Sequence, residues 1–221
     1  WQKIAPGSVK VTNVPGLFGN LFNQESGPLL AQAVKESLLE LAPEPPEDTK
    51  PRKLLQIVPR LPPYSDGVGD YSRLLAKQLV TEHGIVTECL SFRPGTETPD
   101  TIDGFYTHRL FEQSAEYFLS LLPEDLDGVI LHYSNYPYLQ GKLDTPSWLV
   151  DALGILMRDR NIPLVVMFHE LPTLKWKQLR ILNPVQSRLS RQLARLASSV
   201  VTDSHHFKAH LEQWPASTVT C

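Results

Sequence analysis

The sequence predicts an α/β domain in three layers, a mostly parallel sheet with helices packed on both faces. Three observations carry this. Short apolar runs suited to strands buried on both faces recur, as LLQIV at 54–58, DGVILHY at 127–133 and PLVVMF at 163–168. Longer stretches between them place their apolar residues at the helical period. No tandem hairpins are evident, so successive strands are expected to be joined by helical, right-handed crossovers.

The first fifty residues do not share this organisation. Val9, Val11 and Val14 alternate weakly, PGLFGNLFN is aromatic and rich in turn residues, and 28–42 has the spacing of an amphipathic helix with Leu29, Leu30, Ala33, Leu38 and Leu41 apolar. Pro43, Glu44, Pro45, Pro46, Glu47 and Asp48 then form an acidic, proline-rich run that reads as a linker. The expected division is an N-terminal extension at 1–50 and an α/β domain at 51–221, truncated at its C-terminal end. Leu17, Phe18, Leu21 and Phe22 are either a docking or membrane-surface patch, giving peripheral membrane contact, or a cluster packed on its own domain. The second is favoured because such clusters usually pack inside.

From residue 54 the elements follow in order. A first strand at 54–58 ends at Pro59 and leads through a loop with Pro62, Pro63, Asp66, Gly67 and Gly69 to a helix near 69–83, which Gly84 is placed to end. Strands are expected at 85–92, more weakly at 105–110, then at 127–133, 163–168 and 199–202. Helices are expected at 111–122, 146–159, 183–197 and, capped by Asp203 or Ser204, from there to about Trp214. In the helix at 183–197, Val185, Leu189, Leu193 and Leu196 form one stripe, and Arg188, Arg191 and Arg195 a second, which reads as a solvated face.

Composition narrows the function classes. With 42% apolar and 20% charged residues in 221, the chain has the make-up of a globular protein with a sizeable core. A net charge of −3 supplies no field to gather nucleic acid. No apolar run approaches the roughly 18 residues of a membrane span. Cys89 and Cys221 give neither a disulfide framework nor a metal-ligand spacing, so a reducing, cytoplasmic setting is expected. The chain begins at Trp1 rather than Met and stops within STVTC, a β-type segment, and it reads as a fragment.

In parallel α/β sheets ligands bind outside the carboxyl ends of the strands. That rule selects the loops at 59–68, 134–145 and 169–182. The first joins strand to helix through Gly67 and Gly69, and two readings of it stand. Unpaired N–H groups at the helix N-terminus would receive a phosphate, or the glycines only make a tight turn while Asp66 or Asp70 caps the helix. The loop is too long for the dinucleotide fingerprint G-x-G-x-x-G, and Ser72 stands at its third glycine position. An ordinary NAD-binding domain is therefore disfavoured.

The third loop opens with His169-Glu170 at the end of the most apolar strand, placing an imidazole and a carboxylate at the cleft rim. Such a histidine exchanges a proton near neutral pH or bonds a ligand hydroxyl, and a neighbouring carboxylate would raise its pKa; a structural role is the alternative. His132, beside Tyr133 at its own strand end, is read as structural or pocket-lining. There is no G-x-S-x-G elbow and no G-x-x-x-x-G-K-[ST] loop, which argues against an α/β-hydrolase and a P-loop nucleotidase. His205-His206 lacks the spacing of a zinc site and reads as the first turn of a helix.

The segments IVPRLPPYSDGVGDYSRLLAKQL, VILHYSNYPY, PSWLVDAL, PLVVMFHELPT and NPVQSRLSRQLARLASSVVTDSHHFKAHL occur in this order. Together the stretch 53–221 resembles the N-terminal half of a GT-B glycosyltransferase of the family-four, retaining kind. The resemblance implies a Rossmann-like domain that binds the acceptor and faces a second, donor-binding domain absent from this chain, so that the chain alone would be inactive. It implies a nucleotide-sugar co-substrate, UDP-, GDP- or ADP-linked, with no other cofactor and no metal, and a sugar, lipid or small-molecule acceptor. By the same analogy Gly67, Val68 and Gly69 would approach the donor diphosphate, and His169 would be the catalytic-site residue near the transferred sugar. Tyr133, Tyr136, Glu170 and Trp176 are acceptor-pocket candidates by position. The competing classes are a non-catalytic Rossmann-like binding module and a nucleotide-binding oxidoreductase. For the latter an acidic residue should close the second strand, where Ser91-Phe92 stands instead.

Overall fold

The computed structural model describes residues 11–13, 26–39, 50–95, 97–134, 137–138, 146–172, 183–202 and 204–214. In chain order the elements are β1 (Val11–Asn13), α1 (Ser26–Leu39), β2 (Lys53–Val58), α2 (Gly67–His83), β3 (Val86–Ser91), β4 (Thr101–Ile102), β5 (Phe105–Arg109), α3 (Ala115–Ser120), β6 (Gly128–Tyr133), α4 (Ser147–Arg160), β7 (Leu164–Phe168), α5 (Asn183–Leu196), β8 (Ser199–Thr202) and α6 (His205–Leu211). The strands lie in the order β1-β8-β7-β6-β2-β3-β5-β4. Each described pairing is parallel except that of β4 with β5.

The order places β3 on one side of β2 and β6 on the other, so the winding reverses between β2 and β6. This is the Rossmann-like arrangement, and the reversal opens a crevice at the carboxyl ends of those two strands. Side chains alternate across each strand with a period of two. Leu55 and Ile57, Val129 and Leu131, and Leu164, Val166 and Phe168 enter one core with Phe118, Leu149, Leu153, Leu156, Leu189 and Leu193 from α3, α4 and α5. On the opposite face Leu54, Ile130, Val165 and Met167 meet Tyr71, Leu75 and Leu79 of α2 and Ala31, Ala33 and Val34 of α1. Burying each of the larger apolar side chains contributes about 1.5–3 kcal/mol, so the two faces together specify the three layers.

The structure revises several expectations. The described parts of the first fifty residues are built into the domain: β1 extends the sheet beside β8, with Thr12 opposite Val201, and α1 covers one face. The stretches at 14–25 and 40–49, with Leu17, Phe18, Leu21, Phe22 and the proline-rich run, lie outside the described residues, as do 217–221. A hairpin is also present. Asp103 and Gly104 both have positive φ, 52° and 86°, and turn β4 directly into β5. Asp-Gly is among the pairs such two-residue turns favour, but strands of two and five residues leave little flanking alternation to betray it.

The helix expected at 111–122 is confined to α3, where the Tyr117 N–H donates to the Ser114 hydroxyl at 3.2 Å. The remaining boundaries follow local chemistry. Gly84 ends α2 in the left-handed region at φ 63°, donating to the Leu79 and Val80 carbonyls, and Ser204 rather than Asp203 caps α6.

Candidate functional site

Alternation along the strands decides which polar groups meet. Gln56 interrupts the apolar run of β2 and points to the α2 face with Leu54; His132 points to the same face from β6, and His169 follows β7. All three are buried, at 0, 0 and 3% exposure. A buried polar group without partners is costly, so these side chains must satisfy one another. The Gln56 amide Nε2 donates to the Ser72 carbonyl at 3.1 Å, and its Oε1 lies 2.6 Å from His132 Nε2. His132 Nδ1 in turn lies 3.0 Å from His169 Nε2. The two imidazoles stack with centroids 5.3 Å apart, and the Tyr71 ring meets both edge-on.

Burial governs the charge of this strip. Desolvation pushes the His169 imidazole down to about 3, and desolvation together with neighbouring His169 holds His132 well below the ordinary histidine range. Both rings are neutral at pH 7. The expected upward effect of Glu170 on His169 is therefore overturned: removal from water outweighs the adjacent carboxylate.

The loop before α2 resolves in favour of the cap. Asp66 lies at the N-cap with extended backbone, and its Oδ1 accepts the N–H groups of Val68 at 3.0 Å and Gly69 at 2.9 Å. Two of the amides proposed for a diphosphate are thus already bonded to a carboxylate of the same loop. Gly69 also has a steric reason to be glycine. A Cβ there would lie 2.2 Å from the Arg60 carbonyl oxygen, so its absence allows the loop backbone to cross the first turn of α2. Gly67 is exposed at the start of the helix.

The opposite side of the crevice is filled by aromatic rings. Tyr138, fully buried, donates its hydroxyl to the His132 carbonyl at 2.7 Å and stacks on Tyr133, with Phe92 edge-on. Tyr133 is likewise fully buried against Phe168 in the core on the α4 and α5 side, and burial pushes its phenol up to about 12. Its expected place in an acceptor pocket is corrected: the residue after His132 must face the other core. Glu170 is half-buried, whereas Tyr136 and Trp176 lie outside the described residues.

The structure thus brings His169 and His132 together and sets Gly67, Val68 and Gly69 near the same sheet edge, separated from Tyr133 by the sheet itself. Gln56 escaped the sequence reading, although one amide inside LLQIV was its visible signal. Arg93 escaped it as well. Burial and neighbouring Arg60 both lower its pKa, which sets two cations at the carboxyl side of β2 and β3. Among the described residues no three His, Cys, Asp or Glu side chains gather as a metal ion would need. None of the described helices is long and apolar enough to cross a membrane.

Comparison with protein-family models finds none that matches the chain, and comparison with curated proteins finds no significant match.

Proposed function

We propose that the chain is the acceptor-side half of a GT-B-type glycosyltransferase, which moves a sugar from a nucleotide-sugar donor to a sugar, lipid or small-molecule acceptor with retention. The observation that carries this reading is the convergence of the β2–α2 loop, His132 and His169 on one sheet edge at the reversal of winding, where α/β sheets hold their ligands. In this reading His169 hydrogen-bonds the transferred sugar, and Gly67 at the exposed start of α2 faces the donor diphosphate. Arg60 and Arg93 supply positive charge on the same side. The donor-binding half lies on a second domain, and the reaction proceeds without a metal.

The test is to express the protein with whatever its gene encodes beyond Cys221 and assay transfer and donor hydrolysis from UDP-, GDP- and ADP-sugars. Consumption of one donor, reduced by His169→Ala, supports the reading. No consumption of any donor by a folded, complete protein rejects it.

A second reading, a non-catalytic binding or interaction module, is favoured by one observation: Asp66 already satisfies the amides of Val68 and Gly69. It predicts that nucleotide sugars neither bind nor turn over.

A further inference from the structure

The loop between β2 and α2 is held from outside as well as by its own cap. Leu61 is buried with Val58, Cys89 and Ile102, the Arg93 N–H donates to the Pro59 carbonyl at 2.9 Å, and the Arg60 carbonyl crosses α2 at Gly69. The chain then turns, with the Tyr64 N–H donating to the Leu61 carbonyl at 3.3 Å, and the Tyr64 side chain reaches the connection that follows β3. Its ring lies there directly on Gly95, where a Cβ would overlap Tyr64 Oη, Cε2 and Cζ. Gly95 does not take the left-handed backbone of Gly84 and Gly104, so its missing Cβ serves the ring and not a turn. The seat itself is firm. The Gly95 N–H donates to Thr98 Oγ1 at 3.1 Å, and the Thr98 N–H donates back to the Gly95 carbonyl at 3.2 Å. Arg109 of β5 donates to the Thr98 carbonyl at 3.1 Å and to Asp100 Oδ1 at 2.6 Å.

We propose that Tyr64 is a positioning residue: its ring, seated on Gly95, latches the β2–α2 loop to the connection after β3 and so fixes where Arg60 and the exposed start of α2 at Gly67 stand in the crevice. The Asp66 cap ties the loop to its own helix, whereas the Tyr64 seat ties it to a neighbouring strand. Arg60 and Arg93, close enough to repel each other, stand one on each of the joined segments, so the seat also sets the distance between two cations. At 37% exposure the Tyr64 side chain lies at the surface, and its ring can leave the seat without disturbing the buried core. A ligand that uses Arg60 or the start of α2 therefore meets a loop already held in place, and less of its binding free energy goes into ordering it. That this ligand is a nucleotide sugar rests on the glycosyltransferase reading, but the seating of the ring does not.

The experiment is amide hydrogen exchange followed by NMR, beside donor kinetics on the complete protein. Gly95→Ala places a methyl group where the ring lies, and the outer end of the Tyr64 side chain is what gives way. Exchange at the Tyr64, Val68 and Gly69 amides should rise severalfold while the amides of β2 and β3 stay protected. Tyr64→Ala, which removes the ring without adding bulk, should do the same, and Tyr64→Phe, which keeps the ring, should not. Where a donor is consumed, Gly95→Ala should raise its KM severalfold and leave kcat near the wild-type value, with Tyr64→Phe restoring neither change because it causes none. Should Gly95→Ala not fold, Tyr64→Ala carries both comparisons. Unchanged exchange at those three amides in a folded variant would overturn the proposal, as would a rise spread evenly over the sheet or a donor KM that ignores a local rise. If no donor is consumed while the local rise appears, the glycosyltransferase reading fails and the latch stands.

Discussion

His132 Nδ1 lies 3.0 Å from His169 Nε2, with both rings buried between the sheet and α2. The pair links two neighbouring strands at the height where the sheet reverses its winding. Its neutrality has a measurable consequence for stability.

A histidine whose pKa is lower in the folded than in the unfolded state stabilises the fold above the unfolded value, and that contribution is lost as pH falls. For His169 the window runs from 6.5 down to about 3. Lowering the pH from 7 to 5 should therefore cost about 2 kcal/mol from this residue alone, and His132 acts in the same sense. Urea unfolding at the two pH values should show the loss, and His169→Gln should flatten it. Equal slopes in the two proteins would contradict the neutral, buried assignment.

Gly69→Ala should destabilise the protein by about 1–3 kcal/mol, because the new methyl group meets the Arg60 carbonyl oxygen at 2.2 Å and the loop backbone must shift. Gly67→Ala, at an exposed helix start, should change stability by less than about 0.5 kcal/mol. Thermal unfolding of the two variants gives the comparison. Similar losses in both would mean that the two glycines share one role.

Asp66→Ala removes the acceptor of two helix N–H groups and should lower stability by about 1 kcal/mol. It also uncovers those amides. If the helix start serves an anion, calorimetry should find pyrophosphate binding more tightly to the variant than to the wild type. Unaltered stability would show that the cap contributes nothing.

Cys89 is buried beside Val58, Leu61 and Ile102, and desolvation pushes its thiol up to about 12. Iodoacetamide should leave it unmodified in the native protein and alkylate it after unfolding in urea. Peptide mapping distinguishes it from Cys221. Rapid native labelling of Cys89 would mean that β3 opens readily.

The central strands were legible because continuous apolar runs such as PLVVMF suit few other environments. The joints between elements were less so. β1 is three residues long and pairs with a strand far along the chain, so its weak alternation carried no record of its partner. The site divided along the same line. His169 could be located at a strand end from sequence, but its bond to His132 depends on which strands are neighbours, and its displaced pKa depends on burial by α2. Gly69 of the β2–α2 loop suggested a ligand, and only the fold shows that it also leaves room for the Arg60 carbonyl. Tyr133 was an acceptor-pocket candidate by position, yet strand alternation sends it and His132 to opposite faces of the sheet.

Seating β1 beside β8 has a practical corollary for anyone who shortens this protein. Trimming to residue 51 would seem to discard an appendage, but it would leave the outer hydrogen-bonding groups of Val200, Val201 and Thr202 without the chain that covers them. It would also bare the α2 face against which Ala31 and Val34 rest. An open strand edge beside exposed apolar surface is a template for self-association. The trimmed protein should therefore aggregate at concentrations the whole chain tolerates, a hazard created by the cut and not by the fold.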